Sequence, residues 1–258
     1  MKSPRPLEGI GVVLTRPREQ SVAAARELES DGARVIVFPA LAIEACPETA
    51  ELAQALRGLA SANLAIFVSL NAVEHGVAAA RRHGAWPPAV AVAGMGDATA
   101  AALRNSGVAS VISPAVRFDS EGLLMRPELQ SVRGQNIIIF RGTGGREKMR
   151  EALQARGARV TYAECYRRVR PASDPTELLA AWSRGAVHAV QAMSAETLAN
   201  FVALAGARGE RHFAATALVV PHETIARHDD ARKFGQVIVA PPGEAGLKDA
   251  LRKLRTTA

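Results

Sequence analysis

The sequence is poor in the residues that mark several common classes of protein. Its two cysteines, Cys46 and Cys165, have no companion at CxxC spacing, and its six histidines form no HxH or HExxH pair. Transition-metal sites need such groupings, so we expect reduced thiols and no metal site. Aromatic residues make up only 4% of the chain and none is interleaved with a basic block, which argues against a surface that stacks nucleic-acid bases.

Long apolar runs are also missing. No segment approaches the ~20 apolar residues that span a bilayer. The N-terminal MKSPRPLEGIGVVLTRP turns to charge and proline too early for a secretory signal. We therefore expect a soluble, cytoplasmic protein that binds neither membrane nor nucleic acid.

The length and the charge of the chain indicate two domains and an anionic partner. The 258 residues, 48% of them hydrophobic, are enough for two domains of roughly 100 to 150 residues each. The net charge is +7, and a positive field concentrates anions near a protein surface. A small-molecule anion would satisfy this expectation as well as a nucleic acid would.

An internal repeat is visible in the letters GARV, which occur at 32–35 and again at 157–160. The same offset of 125 residues aligns three pairs of polar residues, each placed after an apolar run: Arg16 with Arg141, Ser69 with Ser194, and Thr99 with Thr224. Because several features keep one offset, the chain reads as two copies of one structural unit.

Short apolar runs alternate with helical segments along the whole chain. Runs such as GVVL, LAIFV and NIIIF are each followed by a segment with the apolar spacing of a helix. This alternation predicts an α/β fold of two similar domains, each a parallel sheet flanked by helices. Three segments carry specific predictions: RVIVFPALAIEA at 34–45 as a strand that runs through Pro39, ASVISP at 109–114 as a strand, and HETIARHDDARKFG at 222–235 as one helix.

The six aligned polar residues locate a candidate binding edge. In parallel sheets ligands bind beyond the carboxyl ends of the strands, where helix N-termini offer free N–H groups and partial positive charge. Ser69 and Ser194 are not in a GxSxG motif and have no supporting His or Asp at a recurring spacing. We therefore interpret them as helix N-caps and not as nucleophiles.

Three further motifs leave alternatives open. GMGDAT at 94–99 resembles part of a dinucleotide fingerprint, but Thr99 replaces its third glycine, so the motif is weak and a tight turn in which Asp97 or Thr99 caps the next helix is the favoured interpretation. RGTGGRE at 141–147 is either a flexible turn or a glycine loop that brings backbone N–H groups to an anion. YRRVR at 166–170 is either a solvated linker strand or a functional connector carrying Tyr166.

Taken in order, several segments resemble the uroporphyrinogen-III synthase family. They are VVLTRP, GARVIVFPALAIEA, FVSLNAVE, VAGMGDATAAAL, GVASVISP, IIIFRGTGGRE, AECYRRVRP and QAMSAETLANF. The departure is VPHETIAR at 220–227, where the family more often has an Ile-Gly-x-x-Thr turn; Thr224 is retained, but Pro221 and His222 differ.

The resemblance implies a domain organisation that a simple tandem repeat would not. Residues 1–38 and 170–258 would form a discontinuous domain, and 45–164 an inserted one. Two extended connectors, near 39–44 and 165–169, would join them. Each GARV would then begin a strand that leads out of one domain toward the other.

The resemblance also implies an activity, a cofactor-independent lyase reaction. Its substrate would be hydroxymethylbilane, a linear tetrapyrrole with eight carboxylates, which is cyclised to uroporphyrinogen III with loss of water and inversion of ring D. Tyr166 would assist departure of the hydroxyl as the catalytic residue. The implied substrate-binding residues are Arg16, Ser69, Asn71, Thr99, Arg141, Gly142, Ser194 and Thr224. We expect a monomer. The alternatives are a non-catalytic two-domain sensor of an anionic metabolite or tetrapyrrole, and a nucleotide-dependent enzyme.

Overall fold

The computed structural model describes residues 5–84 and 86–257. Residues 1–4 and 258 of the predicted discontinuous domain, and residue 85 of the predicted inserted domain, lie outside this range. The strands within the described residues are β1 Gly11–Leu14, β2 Arg34–Val37, β3 Ala42–Ala45, β4 Leu64–Phe67, β5 Ala91–Gly94, β6 Asn136–Gly142, β7 Arg159–Val169, β8 Ala189–Gln191, β9 Ala217–Val220 and β10 Gln236–Val239.

Helices connect these strands. The α-helices within the described residues are α1 Arg18–Ser30, α2 Ala50–Arg57, α3 Leu70–His83, α4 Asp97–Asn105, α5 Ser120–Leu124, α6 Lys148–Ala155, α7 Thr176–Ser183, α8 Ala195–Phe213, α9 Glu223–Ala226 and α10 Glu244–Thr257. Short 3-10 helices are formed by Gly58–Ser61, Pro127–Leu129 and Asp229–Lys233. No helix in the described part of the chain is long and apolar enough to cross a membrane.

The described residues divide into two compact units. One consists of the chain up to Ala42 together with the chain from Val169 onward, and it is called here the discontinuous unit. Its sheet has the strand order β10-β9-β8-β1-β2, with every pairing parallel. β1 and β2, from the first copy of the repeat, therefore lie in one sheet with β8, β9 and β10, from the last third of the sequence.

The other unit is Ile43–Arg168, called here the inserted unit. Its sheet has the order β3-β7-β6-β4-β5, and the pairings β7-β6, β6-β4 and β4-β5 are parallel. The predicted α/β fold of two similar domains with helix-flanked parallel sheets is confirmed. The two predicted connectors overlap strands of the sheet in the inserted unit, since β3 begins at Ala42 and β7 continues to Val169.

Each sheet is covered on both faces, which explains why its central strands are apolar at every position. Val13 of β1 packs into one core cluster of the discontinuous unit, whereas Val12 and Leu14 pack into the other. In the inserted unit Phe140 faces one cluster and Ile139 the other. Successive side chains of a strand point to opposite faces, so a strand buried on both sides must be apolar throughout.

Three local predictions are wrong. The strand at 34–45 stops at Val37 and resumes at Ala42, because Pro39 has no N–H to donate to the ladder. ASVISP is reduced to a single bridge between Ala93 and Ile112, next to the proline at 114. The segment 222–235 is two short helices, not one. The first ends at Ala226, and a hydrogen bond from the Asp230 N–H to His228 Nδ1 starts the second.

Candidate active site

A cavity of about 580 Å³ lies at the carboxyl ends of the strands in the inserted unit. Four of the predicted site residues line it: Ser69, Arg141, Gly142 and Tyr166. Ser69 follows β4, Arg141 and Gly142 end β6, and Tyr166 comes from β7. The neighbouring strand ends of one parallel sheet thus bring together residues that are up to 97 positions apart in sequence.

A register shift in β7 directs Tyr166 toward this cavity. Arg141 pairs with Glu164 and Gly142 with Tyr166, so Cys165 is an extra residue on β7. Cys165 and Tyr166 are consecutive, yet both pack into the same core cluster, which regular strand alternation would forbid. Bulges of this kind commonly re-aim a side chain. Tyr166 is 5% exposed, so its ring is held by the core while it lines the cavity.

The hydroxyl of Tyr166 is tied to the start of helix α3. It lies 3.1 Å from Ser69 Oγ, and Ser69 is the N-cap of α3 and accepts a hydrogen bond of 3.1 Å from the Ala72 N–H. The interpretation of Ser69 as an N-cap is therefore confirmed. Ser69 Oγ keeps its own proton while it accepts from Ala72, so either of the two hydroxyls can donate to the other, and the arrangement that serves catalysis is the one in which Ser69 donates to Tyr166 Oη. The phenol proton is then left for a group in the cavity.

Gly142 fixes the position of the tyrosine ring from the other side. A Cβ at Gly142 would lie 2.6 Å from Cε2 and 2.7 Å from Cζ of Tyr166, closer than real side chains approach. His75 of α3 stacks on the same ring, with centroids 5.9 Å apart and an angle of 29° between the planes. The glycine thus makes room for Tyr166, which is packed between β6 and α3.

Arg141 is buried and already paired. It is 4% exposed; its Nη1 donates to Glu147 Oε1 at 2.9 Å, and its Nε lies 3.7 Å from Glu164 Oε1. The guanidinium also lies 4.2 Å from the centre of the Tyr162 ring. A Cβ at Gly145 would come within 2.7 Å of Arg141 Nη2, so the glycine-rich loop closes over the guanidinium. In this structure Arg141 organises the RGTGGRE loop, and its charge is matched by two carboxylates.

Positive charge without a partner comes from residues that sequence reasoning did not select. Of the other cations lining the cavity, Lys148 is paired with Glu121, whereas Arg146 and Arg168 form no ion pair among the described residues. Both are exposed. Arg146 follows the glycines of RGTGGRE and Arg168 lies in YRRVR, two motifs that the sequence offers as candidates, but only the fold brings the two arginines to one cavity.

The remaining predicted residues of the inserted unit are not among those that line the cavity. Asn71 is half-buried in the first turn of α3. Thr99 is 6% exposed and lies inside α4. The expectation that Asp97 or Thr99 caps α4 is wrong: Gly96 occupies the N-cap, without a side-chain hydrogen bond. GMGDAT is therefore a tight strand-to-helix turn in this structure.

In the discontinuous unit, Arg16 and Ser194 lie beyond β1 and β8, which are neighbours. Ser194 is the N-cap of α8 and accepts from the Thr197 N–H at 3.1 Å, so its interpretation as an N-cap is confirmed. Within the described residues, Arg16 Nη2 is buried without a hydrogen-bond partner, and so is Gln191 Oε1. Thr224 is exposed in α9, after His222 in the N-cap position.

The remaining reactive groups have ordinary structural environments. Burial raises the pKa of the Cys165 thiol to about 12, so this thiol stays protonated at neutral pH and is a poor nucleophile. Cys46 and Cys165 are both free. Across residues 5–84 and 86–257, no three histidine, cysteine or carboxylate side chains are grouped in a way that could hold a metal ion.

The sequence matches one family model over most of its length. The model is described as "HEM4: Uroporphyrinogen-III synthase HemD", and it matches residues 22–246. The chain belongs to the uroporphyrinogen-III synthase family. It is 34% identical to the uroporphyrinogen-III synthase of Salmonella typhimurium over 190 residues, which are 73% of this chain and 77% of that protein. The enzyme of Escherichia coli is 31% identical over 190 residues, with the same two shares.

Solved structures of uroporphyrinogen III synthases have the same fold. The synthase of the extreme thermophile Thermus thermophilus, as a mutant, gives a TM-score of 0.57 at 20% identity, covering 96% of this chain and 100% of that one. The synthase of Helicobacter pylori gives 0.56 at 12% identity, with coverage of 94% and 98%. The likeness at these identities concerns the fold alone. The resemblance to the uroporphyrinogen-III synthase family seen in the sequence motifs is confirmed.

Proposed function

We propose that this chain is a uroporphyrinogen-III synthase: it cyclises hydroxymethylbilane with loss of water and inversion of ring D. The observation that carries the proposal, beside family membership, is the cavity of the inserted unit. There a buried tyrosine hydroxyl, a capped helix N-terminus and two unpaired arginines meet. The relatives named as synthases support this enzyme and not a sensor of an anionic metabolite.

The first chemical step is loss of the hydroxyl group as water, which leaves a protonated, positively charged azafulvene. Tyr166 donates the phenol proton to the departing hydroxyl. The phenolate that remains accepts a hydrogen bond from Ser69 Oγ at the N-terminus of the 14-residue helix α3. The partial positive charge of a helix N-terminus stabilises an anion placed there. Ser69 is therefore a positioning residue that orients Tyr166 and lowers the cost of its negative charge.

Ring closure then depends on how the chain of four pyrroles is held. The substituted carbon of ring D attacks the azafulvene to form a spiro intermediate, which fragments and recloses with ring D inverted. The proton released when the last ring becomes aromatic again returns to the phenolate, so protons balance over the cycle. Uncatalysed closure gives the uninverted isomer, so the enzyme acts mainly by positioning.

Carboxylates of the substrate are held by charge and by helix N-termini. Arg146 and Arg168 supply positive charge in the cavity, and the first turn of α3 offers N–H groups beside Ser69 and Asn71. Phe118 and Met95, which also line the cavity, provide apolar surface for pyrrole rings.

Residues outside this cavity complete the proposed set of carboxylate contacts. In the discontinuous unit Arg16 is proposed to bind a carboxylate, which the unpaired Nη2 supports. Ser194 and Thr224, at the starts of α8 and α9, remain in the set, as does Thr99 in the inserted unit. Arg141 and Gly142 act on the substrate mainly through the loop and the tyrosine that they position.

Three broader statements are part of the same proposal. The protein acts as a monomer, and it works in the cytoplasm. It has two domains: residues 1–38 and 170–258 form the discontinuous one, and residues 45–164 form the inserted one. They are joined near 39–44 and 165–169. The last statement is supported by the separate sheets and by the change of unit after Ala42 and again after Arg168.

Product analysis tests the proposal. The protein is incubated with freshly generated hydroxymethylbilane, the products are oxidised to porphyrins, and the type I and type III isomers are separated. The type III isomer is expected to dominate in samples with protein, and the type I isomer in buffer alone. A sensor without activity would leave the isomer ratio equal to that in buffer.

A further inference from the structure

A second cavity, of about 680 Å³, lies in the discontinuous unit, at the edge of its sheet formed by the amino ends of the strands. It is lined by residues just before β1, β2 and β8 and by the first residues of β1 and β2, so it is at the amino ends of the strands. Its charged and polar side chains come from Arg34, Arg184, His188 and Glu29. The proposed catalytic chemistry uses the carboxyl edges and leaves this cavity without a role.

The internal repeat supplies a control for the arginine of GARV. In the inserted unit the equivalent of Arg34 is Arg159, 125 residues later. Arg159 Nε donates to Asn136 Oδ1 at 2.8 Å, and its Nη2 donates to the Gly134 carbonyl at 2.9 Å. Those bonds hold the second arginine against the edge of its own sheet.

Arg34 has neither bond, and one of the two acceptors is missing from the chain opposite it. The residue equivalent to Asn136 is Gly11, which has no side chain to accept a hydrogen bond. A Cβ at Gly11 would lie 1.8 Å from the Ala186 carbonyl oxygen, so no side chain fits there. Within the described residues the Arg34 guanidinium takes part in no hydrogen bond or ion pair, and it lines the open cavity instead.

The same comparison applies to His188. Its equivalent is Asn63, whose Oδ1 accepts the Asn136 N–H at 2.9 Å; His188 Nδ1 accepts the Gly11 N–H at 2.8 Å. The backbone contact is conserved between the two units, but the imidazole adds a second nitrogen. Since Nδ1 is the acceptor, the neutral ring carries its proton on Nε2, which gives the cavity a donor that Asn63 does not provide.

The charge of the cavity favours an anion. Arg184 also forms no ion pair among the described residues, and its equivalent in the inserted unit is Leu59. The lining thus contains two arginines and one N–H donor but only one carboxylate, that of Glu29. The cavity volume falls within the ~300 to 1,000 Å³ that small-molecule sites usually have. Guanidinium groups bind carboxylates and phosphates through paired hydrogen bonds.

We propose that this amino-edge cavity binds a small oxyanion with two or more negative charges, held by Arg34 and Arg184 with a hydrogen bond from His188 Nε2. The shared chemistry is that of adjacent oxyanion groups, as in a diphosphate or a tricarboxylate. This site is separate from the proposed catalytic cavity and is formed only in the discontinuous unit.

Titration calorimetry with inorganic pyrophosphate and, separately, with citrate tests the site and distinguishes the two sources of oxyanion. The double variant Arg34→Gln/Arg184→Gln should bind the preferred probe about tenfold or more weaker than wild type. His188→Asn should also weaken binding while leaving the melting temperature unchanged, because asparagine can accept the Gly11 N–H as Asn63 accepts its counterpart.

Two controls separate this site from general electrostatics and from the catalytic cavity. Arg57→Gln/Arg104→Gln removes two exposed positive charges elsewhere, and Arg168→Gln alters the catalytic cavity; both should bind the probe like wild type. The proposal is overturned if neither probe binds wild type at millimolar concentration. It is equally overturned if the amino-edge variants bind normally or if Arg168→Gln alone abolishes binding. Isomer production by the amino-edge variants should stay at the wild-type rate, so the result is independent of the synthase test.

Discussion

Gly142→Ala should impair catalysis by moving Tyr166 without removing any functional group. The added Cβ would lie 2.6 Å from Cε2 of the tyrosine ring, whereas ordinary contacts begin at 3.4 Å. The ring must therefore shift by 3.4 minus 2.6, about 0.8 Å. A shift of that size away from β6 changes the hydrogen bond to Ser69 Oγ, now 3.1 Å long, and misplaces the phenol proton.

The expected loss of rate follows from the positioning argument. Misplacement of a reacting group by ~1 Å costs on the order of 10² in rate, and a positioned general acid contributes about 10² to 10⁴. We expect kcat to fall by about 10² in Gly142→Ala and similarly in Tyr166→Phe, with the type III isomer retained among the enzyme-formed products. Isomer choice depends on how the substrate chain is held and not on this proton.

Single-turnover measurements with hydroxymethylbilane on four proteins test the reasoning. These are wild type, both single variants, and the double variant Gly142→Ala/Tyr166→Phe. If the alanine acts through the tyrosine hydroxyl, the double variant should be no slower than Tyr166→Phe alone. Gly58→Ala, whose Cβ would meet only Ile138 Cδ1 at 3.7 Å, is the matched control and should be fully active. Wild-type rates in Gly142→Ala, or multiplied losses in the double variant, would refute the account.

Further predictions concern charge and pH. Arg146→Gln and Arg168→Gln should each lower kcat/KM, mainly by raising KM, and each should flatten the decline of kcat/KM with added salt. The control Arg57→Gln should leave both kcat/KM and its salt dependence unchanged. Equal salt profiles in all three variants would contradict this prediction. The hydrogen bond from Arg141 lowers the pKa of Glu147 below its usual 4.5. The ionised pair therefore stabilises the fold fully above pH 4.5, and this stabilisation is lost as the pH falls through the lowered pKa of the folded state. Wild type should therefore melt at a higher temperature than Glu147→Gln at pH 7, with the difference shrinking toward pH 3; a difference that grows in acid would contradict the pairing.

Much of the fold could be predicted because its signals are local. The apolar runs of β1 and β4 are short and buried at every position, which is typical of strands covered on both faces. Ser69 and Ser194 precede helical segments, and each accepts from the third N–H of its helix as an N-cap does. Strand partners are a different matter, because β1 pairs with β8 about 175 residues away and no periodicity in the sequence records that pairing.

The candidate site could be predicted only in part, for a similar reason. The choice of Tyr166 rested on a resemblance, and its direction depends on the extra residue Cys165 in β7, which has no sequence signature. The resemblance implies that Arg141 binds substrate, but Arg141 lies beside Glu164 in the sheet and the following loop brings Glu147 to it, so its charge is paired internally. The unpaired charge falls instead on Arg146 and Arg168, which share a cavity only after folding.

The central claim is that this chain directs hydroxymethylbilane to the inverted isomer with its own residues alone. The most direct measurement is the ratio of type III to type I isomer formed by protein treated with a chelator, without added metal or nucleotide, against the same mixture lacking protein. The account predicts mainly the type III isomer with protein and mainly the type I isomer without it. A ratio that does not differ between the two mixtures, or activity that appears only when a metal ion or a nucleotide is added back, would contradict it.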